Sequence, residues 1–212
     1  MAAPVKRQVL EGPRVRLEPF DAASHEQPLY DSLHDEGDPR LWYYLPYGPF
    51  ERDEWHDWFA AGASSQDPLF FALVVDGVPL GQASYLRIEP VHGVIEIGHI
   101  ALGPALQRTA AATEAMFLLA RHAFDDLGYR RLEWKCDALN DRSRRAAERL
   151  GFTFEGIFRQ HMIVKGRNRD SAWFSIIDGE WPERRAAFEA WLDSANFDQA
   201  GRQLKPLRDP VI

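Results

Sequence analysis

Apolar residues recur along the 212-residue chain with two periods, and the switches between them mark out its elements. A period of two marks half-buried strands, and spacings of three and four mark helices packed by one face. "RVRLEPF" alternates charge with Val15 and Leu17 and stops at Pro19, which predicts a first strand. From Asp21 to about His34 the pattern is compatible with a helix capped by Asp21. "RLWYYLPYGPF", with five aromatics and two prolines, reads as a structured loop. In "ERDEWHDWFAAGA", Trp55, Trp58 and Phe59 fall at i, i+3 and i+4, so a second helix follows. "LFFALVV" and "LGQASYLRI" are strands joined at Asp76-Gly77, and "VIEIGHIAL" is a third strand of this group.

A long helix is predicted from about Arg108 to Leu127, stopping at Gly128. "RRLEWKC" is a strand, and "NDRSRRAAERLG" a short helix capped by Asn140 with Gly151 just past its end. "FTFEGIFRQHMIV" and "SAWFSIID" are strands joined by "KGRNRD". A last helix starts near Pro182 and runs to about Leu192. Antiparallel strands followed by strand–helix–strand crossovers imply an α/β (α+β) chain. Its central sheet is mixed, mostly antiparallel, of about seven strands, and flanked by helices.

Composition narrows the classes. Apolar content of 45% and charged content of 27% are those of a globular protein. A net charge of −7 disfavours a general nucleic-acid binder. Cys136 is the only cysteine, so no internal disulfide forms and a Cys/His zinc cluster, or any other metal site, is not expected. "MAAPVKRQVL" lacks the apolar run of a signal peptide, and no stretch approaches the ~18 apolar residues of a spanning helix. The expectation is a cytoplasmic protein that does not enter membranes, with one domain over 1–212, its core at about 14–178 and a C-terminal helix and tail at 182–212. A homodimer is compatible with the sequence, which does not specify oligomeric state.

Two stretches carry candidate chemistry. The first is "LQRTAAATEA", the opening of the long helix. Helix starts favour acidic side chains because their free N–H groups carry partial positive charge. This one has Arg108 and no carboxylate before Glu114. Such a start suits an anion, most often phosphate, and Ala110, Ala111 and Ala112 would let it approach the backbone. An alanine-rich helix packed on a sheet explains the same residues without a ligand. The second is "CDALNDRSRRAAERLGF". Ser143, Ala146, Ala147 and Leu150 share one helix face, which turns the Ser143 hydroxyl inward. A local bond to the helix's first turn would also account for it.

Together these stretches resemble the GNAT superfamily of acetyl-CoA-dependent N-acetyltransferases, from about Arg14 to Asp178. The nearest branch is the one that acetylates N-terminal alanines of ribosomal proteins and related small amines. "LQRTAAATEA" sits where the family has Q/R-x-x-G-x-G/A. "NDRS" with "RLGF" matches that branch's N-x-x-S helix and Gly-Phe exit, and "FEGIFRQH", "GRNRD" and "WFSIID" its closing strands. Ala110 departs from the pattern, adding a methyl group where phosphate comes close. The resemblance implies acetyl-CoA as co-substrate, held between the parallel strands "IEIGHIAL" and "RRLEWKC". Backbone at Ile100, Ala101 and Leu102 would meet the pantetheine arm, and Gln107, Arg108, Thr109, Ala110, Ala111, Ala112 and Thr113 the pyrophosphate. Asn140 would bond the pantetheine arm, and Ser143 would lie near the sulfur.

The implied reaction is direct attack of an amine on the thioester, with the thiolate leaving. Ser143 is the candidate donor to the sulfur. Glu96, which interrupts an apolar strand, is the candidate base on the expectation that burial raises its pKa; an ion-paired or edge-exposed glutamate accounts for it equally. His99, His161 and a water relay are alternatives. Trp42, Tyr43, Tyr44 and Tyr47, with His99, would line the acceptor site as an aromatic wall; for any single one of these aromatics, packing of the helices to the sheet is the stronger explanation. Lys165, Arg167 and Arg169 would meet a carboxylate or phosphate on the acceptor, and a solvated turn explains them equally. A CoA-binding module without turnover and a non-enzymatic interaction domain are the rival readings.

Overall fold

The computed structural model describes residues 1–207, so the last five residues of the expected C-terminal tail lie outside it. One eight-stranded sheet runs through the molecule in the order β1-β2-β3-β4-β5-β6-β8-β7. Its strands are β1 (Leu10–Glu11), β2 (Arg16–Pro19), β3 (Leu69–Val75), β4 (Val78–Glu89), β5 (Val94–Leu102), β6 (Arg131–Asp137), β7 (Thr153–Val164) and β8 (Arg167–Ile177). Among the described residues, five α-helices cover it: α1 (Ala22–Tyr30), α2 (Arg52–Ser64), α3 (Ala110–Arg121), α4 (Asp141–Arg149) and α5 (Trp181–Leu192). The eighth strand is the two-residue β1, which pairs Leu10 with Leu17 and is too short to show a period.

β3 explains the layering. Its run LFFALVV is buried at six of seven positions because both faces are covered. Leu69, Phe71 and Leu73 join the core under α3 and α5. Phe70, Ala72 and Val74 join a second core under α1 and α2, with Leu29, Leu33, Trp42, Trp55 and Phe59. α2 follows its pattern, burying Trp55 and Phe59 behind a capping box of Glu51 and Glu54.

Every sheet pairing is antiparallel except β5 with β6. A parallel pair needs a crossover, and α3 supplies it. α3 starts two residues later than its apolar pattern suggests. Thr109 caps it, its hydroxyl accepting from the Ala112 N–H at 3.1 Å, and Arg108 precedes the cap in a left-handed conformation with φ of 62°. Its last expected turn, His122–Asp126, widens into π-helix, and the helix ends before Gly128 at φ of 71°. The helix expected from Asp21 likewise ends at Tyr30 and continues as a π-turn over Asp31–Asp35.

The aromatic loop after α1 belongs largely to the second core. Trp42 is 1% exposed. Tyr47 stacks on His99 of β5 with ring centroids 5.4 Å apart and donates its hydroxyl to His99 Nδ1 at 2.8 Å. Burial, with help from the nearby Arg87 and Arg169, pushes His99 down to about 4.

Two outcomes follow from this packing. Phe71→Ala, at a fully buried site in the central strand, is expected to cost about 3–5 kcal/mol in urea unfolding. His99 has a folded pKa of about 4 against an ordinary value of 6.5, so the unfolded chain binds more protons between those values. Its contribution to stability is therefore present above pH 6.5 and lost as pH falls toward 4. His99→Asn, which tolerates the left-handed backbone at this position (φ 53°), should flatten that part of the stability–pH curve.

Candidate active site

β5 and β6 bond to each other over only three residue pairs, Val94–Arg131, Ile95–Leu132 and Glu96–Glu133. Beyond Glu96 the two strands part. β5 carries His99 at φ of 53° and a bulge against β4 between Gln82 and Ser84, and bulges bend the strand that holds them. β6 instead continues in unbroken register along β8, from Arg131–Ile177 to Asp137–Ser171. A V-shaped gap through the sheet results. Its closed end is fastened by charge: Lys135 Nζ lies 3.0 Å from Glu96 and 2.7 Å from Glu133, and Arg87 also binds Glu96. Arg131 extends the chain to Glu133 at 2.8 Å and Glu155 at 2.6 Å.

A cleft of about 1490 Å³ runs along the helix side of this gap, between the start of α3 and the start of α4. Ile100, Leu102, Gln107, Arg108, Thr109, Ala110, Ala112, Thr113, Asn140 and Ser143 all line it, as the sequence reading expected. The side chains of Ala101 and Ala111 do not; they are buried in the second core and the main core respectively. Among the described residues, no acceptor meets the backbone N–H groups of Arg108, Thr109, Ala110 and Ala111. Those groups face the cleft with the positive end of the helix dipole. Arg108 is the only left-handed residue between 107 and 113, so alanine sits at 110 without backbone strain. The Gln107 side chain is committed locally, donating to the Leu102 carbonyl at 2.8 Å.

Asn140 caps α4, its side-chain oxygen accepting from the Ser143 N–H at 3.1 Å. The Ser143 hydroxyl accepts from the Trp134 indole N–H at 2.9 Å. That contact fixes the oxygen on the β6 side of the cleft and leaves its proton free to be donated. Asn140 therefore has the capping role the sequence allowed, whereas the Ser143 hydroxyl is held by Trp134 of β6 and not by its own helix's first turn; both residues face the cleft.

Other expectations need correction. Glu96 is buried, but not as an isolated carboxylate. Arg87 and Lys135 hold it at the closed end of the gap, both through Oε2, so its charge is matched. Of the aromatic wall, only Tyr43 and Tyr44 line the cleft; Trp42, Tyr47 and His99 pack inside the second core and against it. Lys165 donates to the Trp42 carbonyl at 2.7 Å, and Arg167 lies 4.0 Å over the Tyr43 ring. These two cations pin the aromatic loop to the β7–β8 hairpin. Only Arg169 of the three remains without such a structural role.

The cleft also has a wall that periodicity did not reveal. Arg149 at the end of α4 donates to Thr113 Oγ1 at 3.1 Å and lies 5.0 Å over the Trp191 ring. Trp191, Phe197, Arg202 and Gln203 close that side. Arg142, Arg145 and Arg149 appeared in the sequence only as the polar face of a short helix. The signal available was their number: four arginines within eight residues, beside a helix start free of acid.

Comparison with known proteins agrees with this geometry. A family model described as an acetyltransferase (GNAT) domain matches residues 14–153. The crystal structure of a GCN5-related N-acetyltransferase from Brucella melitensis superposes with a TM-score of 0.95 at 49% identity, covering 97% of this chain and 95% of that one. A structure from Chromobacterium violaceum, described as a probable GNAT-family acetyltransferase, superposes with a TM-score of 0.79 at 44% identity, covering 85% of this chain and 91% of that one. A Bacillus subtilis protein provisionally named a ribosomal N-acetyltransferase is 29% identical over 51% of this chain, which spans 59% of that relative's length. By the family model, and by the V-shaped gap with its cleft, the chain belongs to the GNAT family of N-acetyltransferases.

Proposed function

We propose that this protein transfers an acetyl group from acetyl-CoA to a primary amine, on a small molecule or a peptide N-terminus, by direct attack. The observation that carries the reading is the shared cleft. The unpaired N–H groups at the start of α3, the parting of β5 from β6 and the Ser143 hydroxyl all open into it.

Acetyl-CoA supplies an acyl group activated by its bond to sulfur, and the residues present fit its parts. The α3 start with Arg108 suits a diphosphate. The free edge of β5 beyond Glu96, near Ile100, offers backbone groups to the amides of an extended arm. Arg149 adds positive charge on the wall closed by Trp191. Ser143 is held by Trp134 with its proton available, and it is the donor for sulfur as negative charge grows there. A thiolate is a fairly good leaving group, so one hydroxyl donor is sufficient. The methyl group of Ala110 replaces the family's glycine hydrogen on the cleft wall without moving the backbone N–H groups that do the binding.

The ribosomal assignment of the Bacillus subtilis relative makes peptide N-termini one natural class to test, beside free amino compounds. No helix among the described residues is long and apolar enough to cross a membrane, which is compatible with an acceptor met in water.

Isothermal calorimetry is expected to show saturable binding of CoA and acetyl-CoA; no heat at millimolar ligand would overturn the reading. In a thiol-release assay with an amine panel, Ser143→Ala is expected to lower turnover roughly 10- to 1000-fold with CoA affinity nearly unchanged. Wild-type turnover in that variant would remove Ser143 from the chemistry.

A further inference from the structure

The sheet has a second face at the gap, and the cofactor reading leaves it unused. Side chains alternate along each strand. Trp134 and Cys136 of β6 face the core and cleft side, while Glu133 and Lys135 face the opposite way. They meet Glu96 of β5 there, and Lys135 Nζ lies 3.7 Å over the Trp173 ring of β8. α1 and α2 cover this face over β3. Over β7 and β8 it is open, with Phe158 52% exposed against Trp173.

β7 is built irregularly at this place. Phe158 pairs with Ser171 and Met162 with Arg169, so Arg159, Gln160 and His161 stand opposite Asp170 alone. Gln160 is left-handed at φ of 51°, and its N–H is held by the Asp170 carboxylate at 2.7 Å. Asn168 steadies the same oxygen at 2.8 Å. Bulges of this kind re-aim a side chain, and the one re-aimed here is His161, whose Nδ1 lies 2.9 Å from Ser171 Oγ. Ser171 Oγ also accepts from Arg169 Nε at 3.2 Å. Arg169 is half-buried, and among the described residues no carboxylate lies within 4.0 Å of it, unlike Arg87, Arg131 and Lys135.

We propose that this open face is the acceptor side of the reaction, with His161 the base that takes the amine's proton and Arg169 the cation that holds a carboxylate of the acceptor. The proposal rests on the acetyltransferase reading above. A cofactor in the helix-side cleft presents its acyl carbon at the gap, so an amine reaches that carbon from the other face. His99 is committed to Tyr47, and Glu96 to two cations. His161 alone of the three is exposed, and Nε2 has no protein partner among the described residues. With Nδ1–H donated to Ser171, the Nε2 lone pair is open.

The charges around His161 are Arg87 on β4, Glu96 on β5, Lys135 on β6 and Arg169 on β8. Partial burial, then Arg87, Arg169 and Lys135, hold the imidazole below its ordinary value against the opposing pull of Glu96. It is therefore neutral near pH 7. The acceptor's neutral amine nitrogen bonds to the thioester carbonyl carbon as the carbon–sulfur bond breaks. The proton it sheds passes to His161 Nε2, and the sulfur leaves as thiolate beside Ser143. The same cations repel a polyamine and favour an amine with a carboxylate beside it, such as an amino acid.

The test uses the full chain and two independent readouts. In an imidazole NMR titration, His161 is expected to titrate below 6.5 and to move back toward that value in Arg169→Gln. An ordinary pKa, indifferent to Arg169→Gln, overturns the site whatever the activity. In thiol release, L-phenylalanine, 2-phenylethylamine and spermidine serve as probes, the aromatic ring chosen for Trp173 and Phe158. L-Phenylalanine is expected to exceed 2-phenylethylamine about 10-fold in kcat/KM, a preference that Arg169→Gln erases through KM. His161→Gln should lower kcat roughly 100-fold with little change in KM and remove the acid limb of the pH profile. Preference for spermidine or 2-phenylethylamine, or wild-type kcat in His161→Gln, overturns the proposal. Acetyl-CoA binding without thiol release from any amine overturns the transferase reading instead, and the NMR titration still judges His161.

Discussion

The divergence of two parallel strands is the constraint on which the rest of this structure depends. β5 and β6 hydrogen-bond over three residue pairs and then follow different neighbours. β5 stays with β4 through a bulge; β6 stays with β8 in unbroken register. Freed backbone groups inside a sheet are costly unless something pairs with them, so the gap persists only where a ligand or solvent can enter. The alternating cations and anions at its closed end fix where the parting begins. Lys135, with side chain 4% exposed, is bound by two carboxylates and lies against Trp173. Removing any one member would leave a buried charge unmatched, which gives the cluster a stake in geometry larger than its net contribution to stability.

The gap divides the molecule's chemistry by face. On the helix side, donors predominate: unpaired amides at the start of α3, Arg108, Arg149 and the hydroxyl of Ser143. These are groups for phosphates and for a sulfur gaining charge. The opposite side carries a neutral imidazole among cations and an aromatic floor. In the proposed reaction, nucleophile and leaving group would meet different environments although they react at one carbon, a separation the sheet itself provides.

Much of this was legible in the chain because it depends on local pattern. The strands, the α3 start, the Asn140 cap and the inward Ser143 follow from periodicity and capping preferences. The apolar run of β3 signalled a strand, and the structure shows it buried on both faces. What sequence could not supply was long-range pairing. Glu96 looked anomalous in an apolar strand, but its partners come from positions 87 and 135, on two other strands. The aromatic loop looked like a ligand wall, yet Trp42 and Tyr47 fill a core completed by Phe70, Ala72, Val74 and Ala101 from strands later in the chain. The wall formed by Trp191, Phe197 and Gln203 starts at the end of the last helix and continues past it, and pattern gave no sign that these residues share a wall. Left-handed residues such as His99, Arg108 and Gln160 are not of the glycine type that announces such a conformation.

The bulge in β7 also bears on the hairpin tip beyond it. From Phe158 to Met162 the strand advances four residues while its partner advances two, from Ser171 to Arg169. Both steps are even, so the side chains beyond the bulge keep the parity they would have in an unbroken ladder. The hairpin tip beyond it therefore keeps the facing with which Lys165 reaches the Trp42 and Gly48 carbonyls, so the bulge re-aims His161 without unfastening the aromatic loop.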